Sequence, residues 1–296
     1  MRPSHRKVWT CATIVTFLFF YTFSFAQTGN IDVQADKKLP AVSAASLDTS
    51  SSRSKSRHTW EIGPEISSIE YKEPNVMSQK GIMYGIDAAY TYHNGIMIKL
   101  AGRYSFGQVD YQNSGTLNNI DDKIFEIRTL GGYDFKISSS FTMTPFIGLG
   151  YRYLKDDMAG KISSTGAKGY LRESNYYYSP IGIEAVNAFN NGWSASVILE
   201  YDYFWKGMQK SYMSGVLAGL NDPENDQKGG YGLRGSIIIK KQTERVFYAI
   251  EPFIRYWNID KSEIQNLTYY GTYTGRTVTE PKNESTEIGV KFMIGF

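Results

Sequence analysis

Apolar and polar side chains alternate with a period of two along most of the chain after residue 59. In segment 141–153, every second residue from Phe141 is apolar or aromatic, whereas the residues between them are mostly Thr, Gly and Arg. Successive side chains of a β-strand point to opposite faces, so this pattern predicts a strand with one apolar face. The chain is therefore expected to build a sheet that keeps one face away from water.

The same alternation recurs in 125–137, 193–205 and 246–257. In 193–205 the apolar face carries aromatic rings at both ends, which is typical of a strand that crosses a bilayer. The sequence predicts an all-β fold, a single closed antiparallel transmembrane β-barrel of about ten strands, with eight or twelve as alternatives. The strands are expected near 60–69, 81–92, 95–111, 123–137, 140–154, 175–189, 192–205, 230–241, 245–258 and 285–296.

A β-sandwich is the alternative all-β architecture, and it also contains short alternating strands. A sandwich buries its apolar face in a core and does not need aromatic rings at both ends of that face. In lipid, only helices and closed barrels satisfy every backbone hydrogen bond, which favours closure of the sheet.

The predicted connections alternate in length. Tight turns are expected at 93–95, 138–140, 190–192 and 241–244, two of which contain Asn-Gly, a strong hairpin signal. Long connections are expected at 70–80, 112–122, 155–174, 206–229 and 259–284. Short turns on one side and long loops on the other are typical of outer-membrane barrels, whose long loops face the exterior.

The N-terminus has the pattern of an export signal. Basic residues precede an apolar run over 8–23, and Ser24-Phe25-Ala26 supplies the small residues of a cleavage site. We expect a signal peptide over 1–26, cleaved near Ala26, a flexible periplasmic linker over 27–58 and the barrel over 59–296. A membrane anchor over 8–25 is the alternative. Cys11 is the only cysteine, so the mature chain would have no disulfide.

The last segment, 288–296, alternates apolar residues and ends in Phe296. It resembles the C-terminal signature of bacterial outer-membrane β-barrel proteins, in which Phe292, Ile294 and Phe296 would form the assembly signal. The resemblance implies location in the cell outer membrane, contact with outer-membrane lipid and recognition by the barrel-assembly machinery. It is a likeness to the class, and no catalytic or binding residue is carried over from any member.

The inward parity of the predicted strands carries charges of both signs. An isolated buried ion costs several kcal/mol, so such charges must be paired or hydrated. We expect a network of ion pairs that fills the lumen, with a small pore for ions or polar solutes as the alternative. The residues of this predicted network are Asp87, Arg103, Glu126, Arg128, Arg152, Glu184, Glu200, Asp202, Arg234, Glu251, Arg255 and Lys291.

The sequence predicts no catalytic residue, cofactor or metal site. Its three histidines, His5, His58 and His93, all lie on the periplasmic side or in the signal, whereas hydrolases of this membrane need a histidine at the outer rim. The acidic pairs 121–122 and 156–157 are interpreted as solvated loop charges, with binding of a divalent cation through their carboxylates as the alternative. No nucleic-acid motif is present.

The leading functional hypothesis is a structural or surface-interaction role, with an extracellular ligand bound through the long loops. Tyrosine clusters at 176–178 and 269–273 suit recognition, although 176–178 also fits an aromatic girdle. A small pore is the second hypothesis and a surface hydrolase is the third.

Overall fold

The computed structural model describes residues 57–296, and the predictions for 1–56 lie outside the described residues. The regular secondary structure of the described chain is strand, apart from two short 3-10 helices at Asn190–Gly192 and Met213–Gly215. In chain order the strands are β1 (His58–Glu73), β2 (Met77–Asn94), β3 (Ile96–Gln112), β4 (Leu117–Tyr133), β5 (Phe135–Lys136), β6 (Phe141–Asp157), β7 (Leu171–Ala188), β8 (Trp193–Ser211), β9 (Glu224–Gln227), β10 (Gly230–Gln242), β11 (Phe247–Ile259), β12 (Gln265–Tyr269), β13 (Thr272–Val278) and β14 (Asn283–Gly295).

Ten long strands form the barrel wall, and each pairs antiparallel with its neighbours in the chain. These are β1 to β4, β6 to β8, β10, β11 and β14. The sheet closes because β14 pairs with β1, and Trp60 and Phe296 exchange two backbone hydrogen bonds of 2.9 Å. The predicted closed antiparallel barrel of ten strands is confirmed.

The predicted boundaries are wrong on the outer side, where the strands are longer than expected. β1 and β2 are joined by a turn at 74–76, and β3 and β4 by a turn at 113–116, so the long loops expected at 70–80 and 112–122 do not exist. At the outer ends of these strands, charged residues follow the apolar positions, so the sequence there resembles that of a loop. They are outward-facing strand residues, namely Lys72, Lys80, Asp110, Asp121 and Lys123.

The outward face forms an apolar band that is bordered at each end by a girdle of aromatic side chains. On β8, Trp193 and Tyr203 are exposed and ten residues apart, about 25 Å along the axis of a barrel whose strands tilt by about 40°. That height matches the apolar band of an outer-membrane barrel. Because the strands continue beyond this band, the outer end of the wall stands above the membrane.

No helix within residues 57–296 combines the length and apolar character needed to cross a bilayer.

Candidate functional site in the barrel lumen and at its outer mouth

Six charged residues from six wall strands meet halfway along the lumen, and we call them the charged core. Each lies at an inward position of its strand, which is why the period-two pattern brings them together. All are buried or nearly so, with side-chain exposures of 8% or less. The charged core consists of Glu65 on β1, Arg103 on β3, Glu126 on β4, Arg234 on β10, Arg255 on β11 and Glu287 on β14.

Arg103 is the centre of one half of the charged core. Its guanidinium lies 3.1 Å from Glu65, 2.9 Å from Glu126 and 3.0 Å from Glu287. Arg255 contacts two of the same carboxylates, Glu65 at 2.7 Å and Glu287 at 3.2 Å. Two carboxylates are therefore shared by two arginines, an arrangement in which the planar guanidinium can donate several hydrogen bonds at once.

Arg234 is the centre of the other half. It lies 2.5 Å from Glu126, 2.6 Å from Asp202 and 3.3 Å from Glu200. The Tyr178 hydroxyl donates to Glu126 at 2.6 Å, and its ring occupies the space left by Gly150, where a Cβ would come within 2.2 Å of it. Glu126 thus joins the two halves into one network that crosses the lumen.

The remaining predicted network residues lie around this core. Arg128 pairs with Glu200, and Lys291 lies 3.1 Å from Asp87 and 3.4 Å from Glu251. The structure does not bring Arg152 and Glu184 into an ion pair with any residue of 57–296. Arg152 is buried against the Trp257 ring, 5.4 Å from its centroid, and Glu184 lines a cavity.

A cavity of about 550 Å³, here called the periplasmic cavity, occupies the lumen below the charged core. It begins among the periplasmic turn residues His93, Asn94 and Gly95 and reaches Arg103 and Arg234. Its walls carry ions of both signs, including the pair of Lys99 with Glu61 at 2.9 Å. Water and polar solutes have room on this side of the core.

The lumen above the charged core is filled by two apolar clusters. The first lies against β1 to β4, and the second is aromatic and lies against β7, β8 and β11. The first contains Ile69, Met83, Val109, Ile120, Ile124 and Met158, and the second contains Tyr176, Tyr178, Phe204, Trp257 and Ile259. Tyr176 and Tyr178 thus belong to the lumen, and only Tyr177 of that run faces outward.

A second ionic group lies at the outer mouth. Arg172 on β7 contacts Glu73 at 3.2 Å and Glu280 at 2.8 Å, and the Tyr71 hydroxyl donates to Glu280 at 2.9 Å. Glu280 belongs to the connection between β13 and β14, so these contacts hold that connection across the end of the barrel. Burial raises the pKa of Glu280 to about 6, with Glu73 adding to the effect and Arg172 opposing it.

The predicted assignment of the acidic pairs to loops is wrong. Asp122 and Asp156 are neighbours across β4 and β6, half-buried at inward positions, and Gln79 donates to Asp156 at 2.9 Å. They looked like loop charges because the strands extend further outward than the apolar band.

Strands β12 and β13 form a hairpin outside the wall, here called the surface hairpin. Its turn has Tyr270 at φ 45° and Gly271 at φ 79°, the backbone of a tight two-residue connection. Tyr270 is 75% exposed and Tyr273 52% exposed. Backbone bonds from Tyr270 to Gly219 at 2.7 Å and from Asn221 to Thr268 at 3.1 Å tie the hairpin to the neighbouring loop.

Sequence reasoning missed Glu65, Tyr178, Arg172 and Glu280 as site residues. For Glu65 the signal was present, because it has the parity of Gly63 and Ser67 on a strand whose other face carries Trp60 and Ile62. For Glu280 no signal existed, since a loop residue carries no parity.

The sequence over residues 70–244 matches the model of the autotransporter β-domain family. The chain belongs to that family. The matched region runs from the end of β1 through β10, so it covers most of the barrel wall. Membership places this autotransporter β-domain in the outer membrane. No curated protein matches the chain.

Several solved barrels resemble this β-domain at low identity. The translocator domain of autotransporter NalP from Neisseria meningitidis is 11% identical with a TM-score of 0.39, covering 81% of this chain and 90% of that one. Neisserial surface protein A is 13% identical with a TM-score of 0.34, covering 80% and 97%. The toluene transporter TodX of Pseudomonas putida is 9% identical with a TM-score of 0.32, covering 81% and 89%. Function has to be inferred from the residues of this chain itself.

Arg103→Ala is expected to lower the free energy of unfolding by about 3 to 5 kcal/mol, because it leaves the carboxylates of Glu65, Glu126 and Glu287 with one fewer buried cation. The measurement is urea unfolding of the refolded barrel in lipid vesicles. The matched control is Lys99→Ala, whose more exposed pair with Glu61 should contribute about 1 kcal/mol or less. Equal losses in the two variants would contradict the central place of Arg103.

Glu280→Gln is expected to remove a pH dependence of stability. The ordinary pKa of this carboxyl is 4.5, so between pH 4.5 and 6 the folded protein binds more protons than the unfolded chain, and stability falls as the pH rises. The variant should be more stable at neutral pH by about 2 kcal/mol and equal to the wild type near pH 4. Urea midpoints at the two pH values test this, and a variant that is weaker at neutral pH would show that the Arg172 pair is net stabilising.

Proposed function

We propose that this autotransporter β-domain is a non-enzymatic outer-membrane barrel whose lumen is blocked above the periplasmic cavity, and that it presents the surface hairpin to an extracellular ligand. The observation that carries the proposal is the pair of exposed tyrosines, Tyr270 and Tyr273, on a hairpin held in place above a barrel whose lumen is packed from the charged core outward. The barrel fits the role of a scaffold, and the surface hairpin fits the role of the binding surface that it displays.

The packing of the lumen supports a role without transport. A solute that entered from the periplasmic cavity would meet the charged core, then the two apolar clusters, and finally the contacts of Arg172 with Glu73 and Glu280. Separating the buried ion pairs costs several kcal/mol for each uncompensated charge. The barrel is therefore expected to remain closed at rest.

The positions of the histidines support a non-enzymatic role. His58 and His93 both lie at the periplasmic rim, where His93 contacts Asp134 at 2.9 Å. At the outer mouth, the carboxylates of Glu73 and Glu280 are engaged by Arg172 and Tyr71. No histidine lies among the outer residues of 57–296 to activate a nucleophile as a general base.

The surface hairpin offers two kinds of contact to a ligand. Tyrosine gives a large amphipathic contact area at low entropic cost, and the Tyr269 and Tyr270 rings pack edge to face at 4.7 Å between centroids. Within the described chain, β13 pairs only with β12, so its other edge carries backbone groups that an extended peptide could pair with. The tyrosine rings and the open edge of β13 together suit recognition of an extended polypeptide.

Outer-membrane lipid and the barrel-assembly machinery complete the proposed set of partners. Phe292 and Ile294 are exposed on the lipid-facing side of β14, and Phe296 pairs with Trp60 at the seam. These three residues are the proposed assembly signal, because they lie on or directly after β14, the strand that closes the barrel.

The binding role is tested with whole bacterial cells that display the protein. Retention of cells on immobilised extracellular matrix proteins should exceed that of cells without it, and should fall to background for Tyr270→Ser combined with Tyr273→Ser. Ile162→Ser is the matched control, since Ile162 is an exposed apolar residue of a different outer loop. If the tyrosine variant binds as the wild type does while remaining folded, the surface hairpin is not the binding site.

A small pore is the second candidate, and the periplasmic cavity favours it. The cavity already extends from the periplasmic rim to the charged core, so only the outer half would have to open. Planar-bilayer recording of the refolded wild type distinguishes the two functions. We expect no stepwise conductance at any voltage or salt concentration. Regular conductance steps would contradict the scaffold role and support a pore.

A further inference from the structure

The lipid-facing wall contains a concave groove near the periplasmic end, with a volume of about 350 Å³. It lies across β1 to β4, and we call it the wall groove. Large outward side chains surround it, including Trp60, Ile62, Leu100, Ile127 and Phe296. It lies away from the outer mouth and the surface hairpin, and it shares lining residues such as Ala88, Ala89 and Gly102 with the periplasmic cavity on the other side of the wall.

The strand register explains why the wall is concave there. Along one row of paired residues, Ile62 faces Ala88, Ala88 faces Gly102, and Gly102 faces Ile127. Two small residues therefore lie side by side between two branched ones. On the periplasmic side, the next row of outward-facing residues contains Trp60, Tyr90 and Leu100. These three large side chains close the periplasmic end of the groove. The small residues form the floor and their neighbours form the walls.

The depth of the groove places it inside the hydrocarbon of the inner half of the membrane. Ile62 is four residues from the start of β1 at the periplasmic rim, about 10 Å along the barrel axis at the usual strand tilt. At its periplasmic end, the Tyr90 hydroxyl is 2.7 Å from His58 Nδ1. The apolar lining of the wall groove thus ends at the polar pair of Tyr90 and His58. A phospholipid has the same order, because its apolar acyl chain ends at a polar ester and headgroup.

We propose that the wall groove is a binding site for one acyl chain of a phospholipid in the periplasmic leaflet. The surrounding medium at this depth consists of acyl chains, and the lining side chains offer apolar contact. The volume is more than twice the roughly 150 Å³ that accommodates a benzene ring, so several methylene groups fit. An empty concavity would lose dispersion contacts with its lining, and a flexible chain restores them.

The test fills the groove by one substitution and compares it with a matched one elsewhere. A Cβ added at Gly102 would meet only Glu126 O at 3.8 Å, so Gly102→Leu can enter the groove without displacing backbone. Gly131 is also a lipid-facing glycine of the wall, and a Cβ there meets nothing within 4 Å, which makes Gly131→Leu the control. Both variants are first checked for heat-modifiable mobility, which reports a closed barrel.

Each refolded protein is incubated with vesicles of phosphatidylethanolamine and phosphatidylglycerol, extracted in detergent and examined by native mass spectrometry. The wild type and Gly131→Leu should retain one phospholipid, and Gly102→Leu should bind it at least about tenfold more weakly. If Gly102→Leu does not fold, Ala88→Leu fills the same floor. Equal retention by the groove-filling variant overturns the proposal, as does a wild type that retains no lipid. A dimer that only the groove-filling variant loses would identify a second copy as the occupant.

Discussion

Satisfaction of backbone hydrogen bonds in lipid is the constraint on which the rest of this structure depends. No water is present in the bilayer core to bond an unpaired strand edge, so the sheet must close on itself, and here it closes through the ladder of β1 and β14. Closure fixes one face of every strand toward lipid and the other toward the lumen. Apolar outward positions follow from that requirement, and charged inward residues such as Arg103 and Glu126 are tolerated because the closed wall shields them from lipid.

Closure also determines how the charged residues are used. A ten-strand barrel is only slightly wider than the eight-strand barrels whose side chains fill the interior, so long inward arginines from opposite walls reach the same carboxylates. Arg103 and Arg234 both contact Glu126, although they belong to strands far apart in the sequence. The ion pairs thereby hold the walls at a fixed separation, and the apolar clusters pack above them.

Much of this architecture could be predicted from the sequence, because a two-residue period reports directly on which face a side chain occupies. The parity of Arg103, Glu126 and Arg234 was readable for that reason. The outer ends of the strands were not, since above the membrane the outward face carries charges and Lys72 or Asp121 then resembles a loop residue. The position of Glu280, and the lack of an ion pair for Arg152 within residues 57–296, depend on loop paths and on exact distances across the lumen, on which periodicity carries no information.

The seam between the first and last strands has a consequence for how the chain reaches its native state. Ser67 bonds to Glu287, a residue 220 positions later, and the whole β1–β14 ladder joins parts of the chain that are equally remote. Contacts of such sequence separation form late and slowly. Until they form, both terminal strands expose unpaired edges that favour aggregation, so a chain cut short before β14 would be unable to protect β1.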